Sequence, residues 1–179
     1  RSMVGVPYVI WFLLSFAVLN KNILIKYSTI ILIAISTFQI LNAHANYNAV
    51  KQLTLERDKA LAAEIHHQIL AKLPATGDLL EYKVDFYGAK PFNTVFPSIK
   101  TSTIGSSFFD WDGGHPKRIV YFMRLIGYTD INLMEQDKRR SVVELYKNMP
   151  IWPARNSIKV SGNVILVKLG GIAGRMHQL

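Results

Sequence analysis

The chain has 179 residues, of which 50% are hydrophobic, and a formal net charge of +9 at pH 7. This apolar content excludes an intrinsically disordered chain, and the lack of cysteine excludes disulfide frameworks, thiolate zinc sites and cysteine nucleophiles. The charge is unevenly distributed, because Arg1, Lys21 and Lys26 are the only charged residues before Lys51. The sequence therefore predicts a membrane part followed by a basic water-soluble domain.

Two uncharged runs, 3–20 and 27–50, make up most of the N-terminal part. A helix needs roughly 20 residues to cross a bilayer, so the runs predict two transmembrane helices within residues 1–47. The alternative is a buried helical hairpin of a soluble protein. Lys21 and Lys26 lie between the runs and place this loop in the cytoplasm by the positive-inside rule, so the chain after the second helix is predicted to face the periplasm. Since the first run begins almost at once and no signal-peptide cleavage site follows it, the chain is expected to be the C-terminal piece of a larger membrane protein.

Residues 48–170 are predicted to form an α+β domain, in which helices pack on a small, mostly antiparallel sheet. Apolar residues at helical spacing, ended by proline or glycine, predict helices over 48–73, 117–126 and 133–148. Alternating residues predict a strand over 79–87, and Gly162-Asn163 predicts the turn of a β-hairpin over 158–169. Between them, a loop with a short strand near Val95 is expected. Glycines after residue 170 predict a flexible basic tail, 171–179.

The densest polar cluster is the segment FFDWDGGHPKR, residues 108–118. Its candidate ligand-binding residues are Asp110, Trp111, Asp112, His115 and Arg118. The two carboxylates could bind a divalent cation through hard oxygens. His115, Lys117 and Arg118, at the start of a predicted helix, could hold a phosphate, and Trp111 could stack on a sugar ring. The alternative is a structural turn, in which Asp112 folds back on its own backbone before the Gly-Gly pair.

Other polar features carry weaker signals. His66 and His67 are adjacent on a predicted helix and point in different directions, so they are expected to be solvated or interfacial rather than a metal site. The charge run 137–140 is expected to be a solvated helix face, with anionic lipid as the alternative contact. Nucleic acid is not an expected partner, because the basic residues are dispersed and no known binding module is recognisable.

Three segments together resemble one family. They are Asn46-Tyr47 with Glu56-Arg57-Asp58-Lys59-Ala60, residues 107–114 with Arg118-Ile119, and Met149-Pro150-Ile151-Trp152-Pro153 with 156–158 and 164–169. Their order and spacing are similar to those in the C-terminal part of the serotype-converting O-antigen glucosyltransferases, the integral membrane family called glucosyl transferase type II. The similarity covers about residues 25 to 170.

The resemblance implies a multi-span enzyme of the bacterial inner membrane that modifies lipopolysaccharide. Such an enzyme takes glucose from polyprenyl-phosphate glucose and transfers it to a lipid-linked O-antigen repeat on the periplasmic side, so donor, acceptor and membrane lipids are the implied partners. Its catalytic base is expected in an early periplasmic loop upstream of this chain. No catalytic residue is therefore assigned here, and this segment alone is expected to be inactive. No cofactor is expected beyond the candidate divalent cation. The alternative is a non-enzymatic, membrane-anchored domain that binds or senses a ligand in the periplasm.

Overall fold

The computed structural model describes residues 5–19, 21–92, 106–174 and 177. They belong to two compact units, Arg1–Ala49 and Val50–Leu179. Helix α1, Gly5–Leu19, lies in the first unit, and helix α2, Ile23–Leu70, begins in the first unit and ends in the second.

The first unit is helical and carries most of its large apolar side chains on the surface. Trp11 and Phe38 are each 70% exposed. Such a surface is stable where lipid rather than water covers it, since helices satisfy their own backbone groups. Within the described residues, α2 is the one helix long and apolar enough to cross a membrane. The 15 residues of α1 rise only about 22 Å, so the first of the two predicted spans stays a prediction.

The second unit contains a four-stranded mixed sheet in the order β2-β1-β4-β3. The strands are β1 (Lys83–Tyr87), β2 (Asn132–Leu133), β3 (Ile158–Ser161) and β4 (Val164–Lys168). Strand β1 is parallel to both β2 and β4, whereas β3 and β4 form an antiparallel hairpin. The predicted α+β class and the hairpin are thus confirmed, but the prediction of a mostly antiparallel sheet is wrong. The parallel pairings join segments that are far apart in sequence, so the sequence contains no tight turn between the paired strands from which the pairing could be predicted.

Two further helices complete the domain. Helix α3, Pro116–Leu125, connects β1 to the parallel strand β2, and helix α4, Gln136–Tyr146, connects β2 to β3. Both agree with the predicted helices apart from their ends. The predicted strand over 79–87 begins instead with a short 3-10 turn, Leu79–Glu81, in which the Asp78 side chain accepts the N–H of Leu80 at 3.0 Å. The predicted strand near Val95 lies outside the described residues.

Each face of the sheet packs against a different set of helices. On one face, Val84 and Phe86 of β1 join a core with residues of α2 and α3, including Ile65 and Ile119. On the other face, Leu166 of β4 packs in a smaller cluster with residues of α4 and its C-terminal end. Successive strand residues point to opposite faces. Asp85, between Val84 and Phe86, therefore points to the α4 face.

Candidate functional site

The predicted binding segment forms a tight loop at the start of α3. Residues Trp111–Gly113 make a 3-10 turn, and the backbone is left-handed at Asp112, with φ 54°, and at Gly114, with φ 77°. A Cβ on Gly114 would lie 2.0 Å from the carbonyl oxygen of Gly88, the residue that follows β1. The loop is therefore pressed against the end of β1 so closely that only glycine fits at this position.

Three of the predicted binding residues meet on the outer side of this loop, and we call Trp111, Asp112 and Arg118 the Trp111 cluster. Nη2 of Arg118 lies 2.8 Å from Oδ2 of Asp112, and its guanidinium carbon lies 4.0 Å from the centre of the Trp111 ring. The side chains of Arg118 and Asp112 remain 39% and 32% exposed. An ion pair this accessible adds little stability, so the cluster presents a cation, a carboxylate and an aromatic ring that a ligand can reach.

Asp110 lies near a second carboxylate, Asp58 of α2, which accepts hydrogen bonds from the start of the loop. Asp58 is buried and accepts the Ser107 hydroxyl at 2.6 Å and the Phe108 N–H at 2.7 Å. Burial raises the pKa of Asp58, and the charge of Asp110 raises it further, while the two hydrogen bonds and the charge of Arg57 oppose the increase. Asp58 therefore fixes the loop on α2, and Asp110 acts on it through charge.

His115 immediately precedes α3 and faces inward. Its Nδ1 is buried and accepts or donates no hydrogen bond within the described residues. Burial lowers the pKa of His115, and the charges of Arg118 and Arg139 lower it further, against the opposing charge of Asp112. These effects favour the neutral form of the imidazole. The charges of Arg118 and Asp112, in the Trp111 cluster, and of Arg139 therefore all act on His115.

A buried polar network is built on the α4 face of the sheet, and we call Asp85, Arg139, Tyr146 and His177 the Asp85 network. Oδ2 of Asp85 lies 2.8 Å from Nε2 of His177 and accepts the Tyr146 hydroxyl at 3.1 Å. Nε of Arg139 lies 3.2 Å from Oδ1 of Asp85 but is not aligned for a hydrogen bond. Burial, followed by the Asp85 charge, raises the pKa of Tyr146 well above its usual value. The network therefore couples β1, α4 and the C-terminal segment.

The sequence interpretation did not identify these residues. Arg139 belongs to the charge run 137–140, predicted to be a solvated face, yet it is only 2% exposed, so the prediction is wrong at this position. His177 lies in the predicted flexible tail and is buried, with Nε2 bonded to Asp85. The imidazole of His177 packs against the rings of Tyr87 and Tyr146, so the chain is part of the domain at this position.

Lys168, the last residue of β4, has a structural role nearby. Its buried Nζ donates to the carbonyl oxygens of Tyr146 and Met149 at 2.6 and 2.7 Å. These carbonyls lie at and just beyond the C-terminal end of α4, where helices leave such groups unpaired and carry partial negative charge. Lys168 therefore acts as a buried cap on α4.

The second predicted feature of the domain, the histidine pair on α2, is interfacial in part. Nε2 of His66 lies 2.8 Å from Oδ2 of Asp130, and its ring stacks on Tyr128 with centroids 4.4 Å apart. His67 is exposed. His66 thus ties α2 to the segment between α3 and β2, as the interfacial interpretation predicts.

Within the described ranges, no group of three or more histidine, aspartate or glutamate side chains could hold a metal ion. Asp112, one of the two candidate cation ligands, is paired with Arg118. The divalent cation at Asp110 and Asp112 stays a prediction.

Comparison of the chain with models of protein families, with curated proteins and with solved structures gives no match.

Proposed function

We propose that this chain is the C-terminal region of a membrane glucosyltransferase that moves glucose from polyprenyl-phosphate glucose to lipid-linked O-antigen. The observation that carries the proposal is that, apart from Asn46-Tyr47, all three segments of the resemblance lie in the second unit. Hydrogen bonds join the first segment to the second, and a shared core joins the second to the third, as expected of segments that build one domain.

Asp58 makes the link between the first and second segments. Its carboxylate receives the hydroxyl of Ser107 and the backbone N–H of Phe108. In the third segment, the N–H of Trp152 donates to the carbonyl of Lys168 at 2.9 Å. Trp152 and Phe109 are buried in the same core cluster, which joins the third segment to the second. The resemblance therefore selects residues that hold the domain together.

The apolar N-terminal unit supports a membrane location. In α2 an 18-residue window has a mean hydropathy of 1.8, and 6% of that window is buried. By the positive-inside rule, Lys21 before α2 and Lys26 in its first turn favour a cytoplasmic location for the start of α2. The proposed location is the bacterial inner membrane, with the second unit in the periplasm, where lipid-linked donor and acceptor are both present.

Glycosyl transfer from a phosphate-linked donor has two requirements that can be divided between parts of an enzyme. A base must take the proton of the acceptor hydroxyl, and positive groups must stabilise the leaving phosphate. The Trp111 cluster suits the second requirement, since Arg118 can exchange its partly exposed partner Asp112 for a phosphate oxygen. Trp111 offers a ring on which a sugar can stack. The base is proposed to lie in an upstream periplasmic loop, and this segment alone is proposed to be inactive.

The proposal is tested by assaying transfer of labelled glucose from polyprenyl-phosphate glucose to O-antigen in membranes that contain the full parent protein. Arg118→Ala is compared with Arg155→Ala, an exposed arginine outside the cluster, at matched expression. We expect Arg118→Ala to lower the transfer rate at least about tenfold, and Arg155→Ala to leave it within about twofold.

Two outcomes would change the interpretation. Equal rates for wild type and both variants would keep the enzyme but return the Trp111 cluster to a structural role. No transfer by wild type, with donor and acceptor confirmed present, would overturn the glucosyltransferase and favour the membrane-anchored binding domain.

A further inference from the structure

The chain that follows β4 packs against the loop that carries the Trp111 cluster. We call residues 170–174 and His177 the C-terminal strap. Within the strap Gly174 is buried, and a Cβ added there would lie 2.7 Å from the carbonyl oxygen of Gly113. A real Cβ does not come this close to a backbone oxygen, so the two backbones touch only because this residue is glycine.

The contact is made at the most constrained point of the loop. Gly113 follows Asp112, whose backbone is left-handed with φ 54°. This conformation is unfavourable for a residue that has a Cβ, so it persists only where the surrounding structure holds it. The Asp112 carboxylate pairs with Arg118, and the guanidinium of Arg118 lies over the Trp111 ring. A movement of Gly113 therefore affects all three side chains of the Trp111 cluster.

One side chain fastens the strap to the domain. Among the described residues after Leu169, His177 is the one whose side chain is buried, whereas Ile172 is 80% exposed. Nε2 of His177 lies 2.8 Å from Oδ2 of Asp85, and the backbone N–H of His177 donates to the carbonyl of Gly174 at 2.9 Å. Glycine buries no side chain, so the attachment of the strap depends mainly on this imidazole.

We propose that the C-terminal strap controls the arrangement of the Trp111 cluster. With His177 docked, Gly174 supports Gly113, and the cluster keeps the geometry described above. With His177 released, that support is lost, the left-handed turn relaxes, and the ion pair leaves the Trp111 ring. A ligand that needs the ordered cluster therefore binds more tightly when the strap is docked, and by reciprocity it stabilises the docked strap. The inference holds for any such ligand and does not depend on glucosyl transfer.

Fluorine NMR of the detergent-solubilised full chain, labelled with 5-fluorotryptophan, tests the proposal. The chain has three tryptophans, and each resonance is assigned by replacing that tryptophan with phenylalanine. Trp111 reports on the cluster, and the buried Trp152 reports on the core. We expect His177→Ala to move the Trp111 resonance by more than its line width and to leave the Trp152 resonance in place. His177→Gln, whose amide can still donate to Asp85, is expected to keep the wild-type Trp111 resonance.

Two glycine variants locate the contact. Gly174→Ala is expected to move the Trp111 resonance as well, because its Cβ would displace the carbonyl of Gly113. Gly171→Ala is the matched control within the strap, since a Cβ there would meet the Ile151 side chain at the ordinary contact distance of 3.5 Å. It should leave the resonance unchanged.

His67→Ala controls for the loss of an exposed imidazole and should also leave the Trp111 resonance unchanged. An unchanged Trp111 resonance in either His177→Ala or Gly174→Ala would overturn the proposal. Equal movement of the Trp111 and Trp152 resonances in both variants would overturn it too, in favour of a general role of the strap in the fold.

Discussion

Replacement of Asp85 tests whether the Asp85 network holds α4 on the sheet. Asp85→Ala leaves the guanidinium of Arg139, which is 2% exposed, without its only nearby counter-charge in the network. Removing one partner of a buried ion pair costs about 3–5 kcal/mol. The Tyr146 hydroxyl loses less, because it also donates to the backbone carbonyl of residue 85 at 3.1 Å. We therefore expect the free energy of unfolding to fall by about 4 kcal/mol.

The assay is urea denaturation of the detergent-solubilised chain, followed by tryptophan fluorescence. With a denaturant slope of about 2 kcal/mol/M, a loss of 4 kcal/mol lowers the midpoint by about 2 M. Lys138→Ala serves as the control, because its side chain is 63% exposed and its ion pair with Glu135 lies on the surface. That variant should change the free energy of unfolding by less than about 1 kcal/mol.

A double-mutant cycle separates the charge effect from simple loss of packing. Arg139→Met removes the guanidinium, which also gives up a 2.9 Å bond to the carbonyl of Met134. Combined with Asp85→Ala, it leaves no unpaired buried arginine, so the double variant should be at least about 1 kcal/mol more stable than the two single costs predict. Strictly additive costs, or an Asp85→Ala cost under about 1 kcal/mol, would refute the reasoning.

Three further predictions concern the loop before α3. Gly114→Ala should lower the free energy of unfolding by at least about 2 kcal/mol more than Gly127→Ala does. A Cβ at position 114 would lie 2.0 Å from a carbonyl oxygen, whereas a Cβ at position 127 has nothing within 4 Å. Equal decreases in the melting temperature of the two variants would contradict this. Asp58→Ala should cost about 2–4 kcal/mol in urea, since it strips the acceptor from a buried hydroxyl and a backbone N–H, while Glu56→Ala, 66% exposed, should cost under about 0.5. Because the pKa of His115 is lowered in the folded chain, the unfolded chain binds a proton first as the pH falls through 6.5, and the free energy of unfolding decreases below that pH. His115→Gln should therefore lose less of its free energy of unfolding between pH 7 and 5 than wild type does. An equal decrease in both proteins would refute the lowered pKa.

Local patterns predict much of this fold, because helices and hairpins can be identified from short stretches of sequence. The proline and the apolar spacing of α3 and the Gly162-Asn163 turn each identify an element correctly. The parallel pairing of β1 has no such signal, since β1 meets β2 and β4 only through long connections. Element types are therefore more predictable here than the sheet order.

In the candidate site, too, residues that are close in sequence can be predicted, whereas residues that only the fold brings together cannot. The Trp111 cluster is predictable, because its members are close in sequence and the turn brings them together. Asp85 is not, because an acid between two apolar strand residues is typical of a solvent-facing position, and here α4 covers that face. Arg139 is concealed by its charged neighbours, and its position three residues before buried Val142 is the one hint that it faces inward.

Because β1 lies between β2 and β4 in the sheet, its position also determines when the domain can fold during synthesis. A chain made from its N-terminus releases β1 before the other strands, and both neighbours of β1 follow later, with β4 the last of the four strands. Until then, β1 exposes two unpaired edges that can pair with another chain. A nonsense mutation before Val164 would therefore produce no smaller working domain, but an aggregation-prone product for cellular proteases to remove.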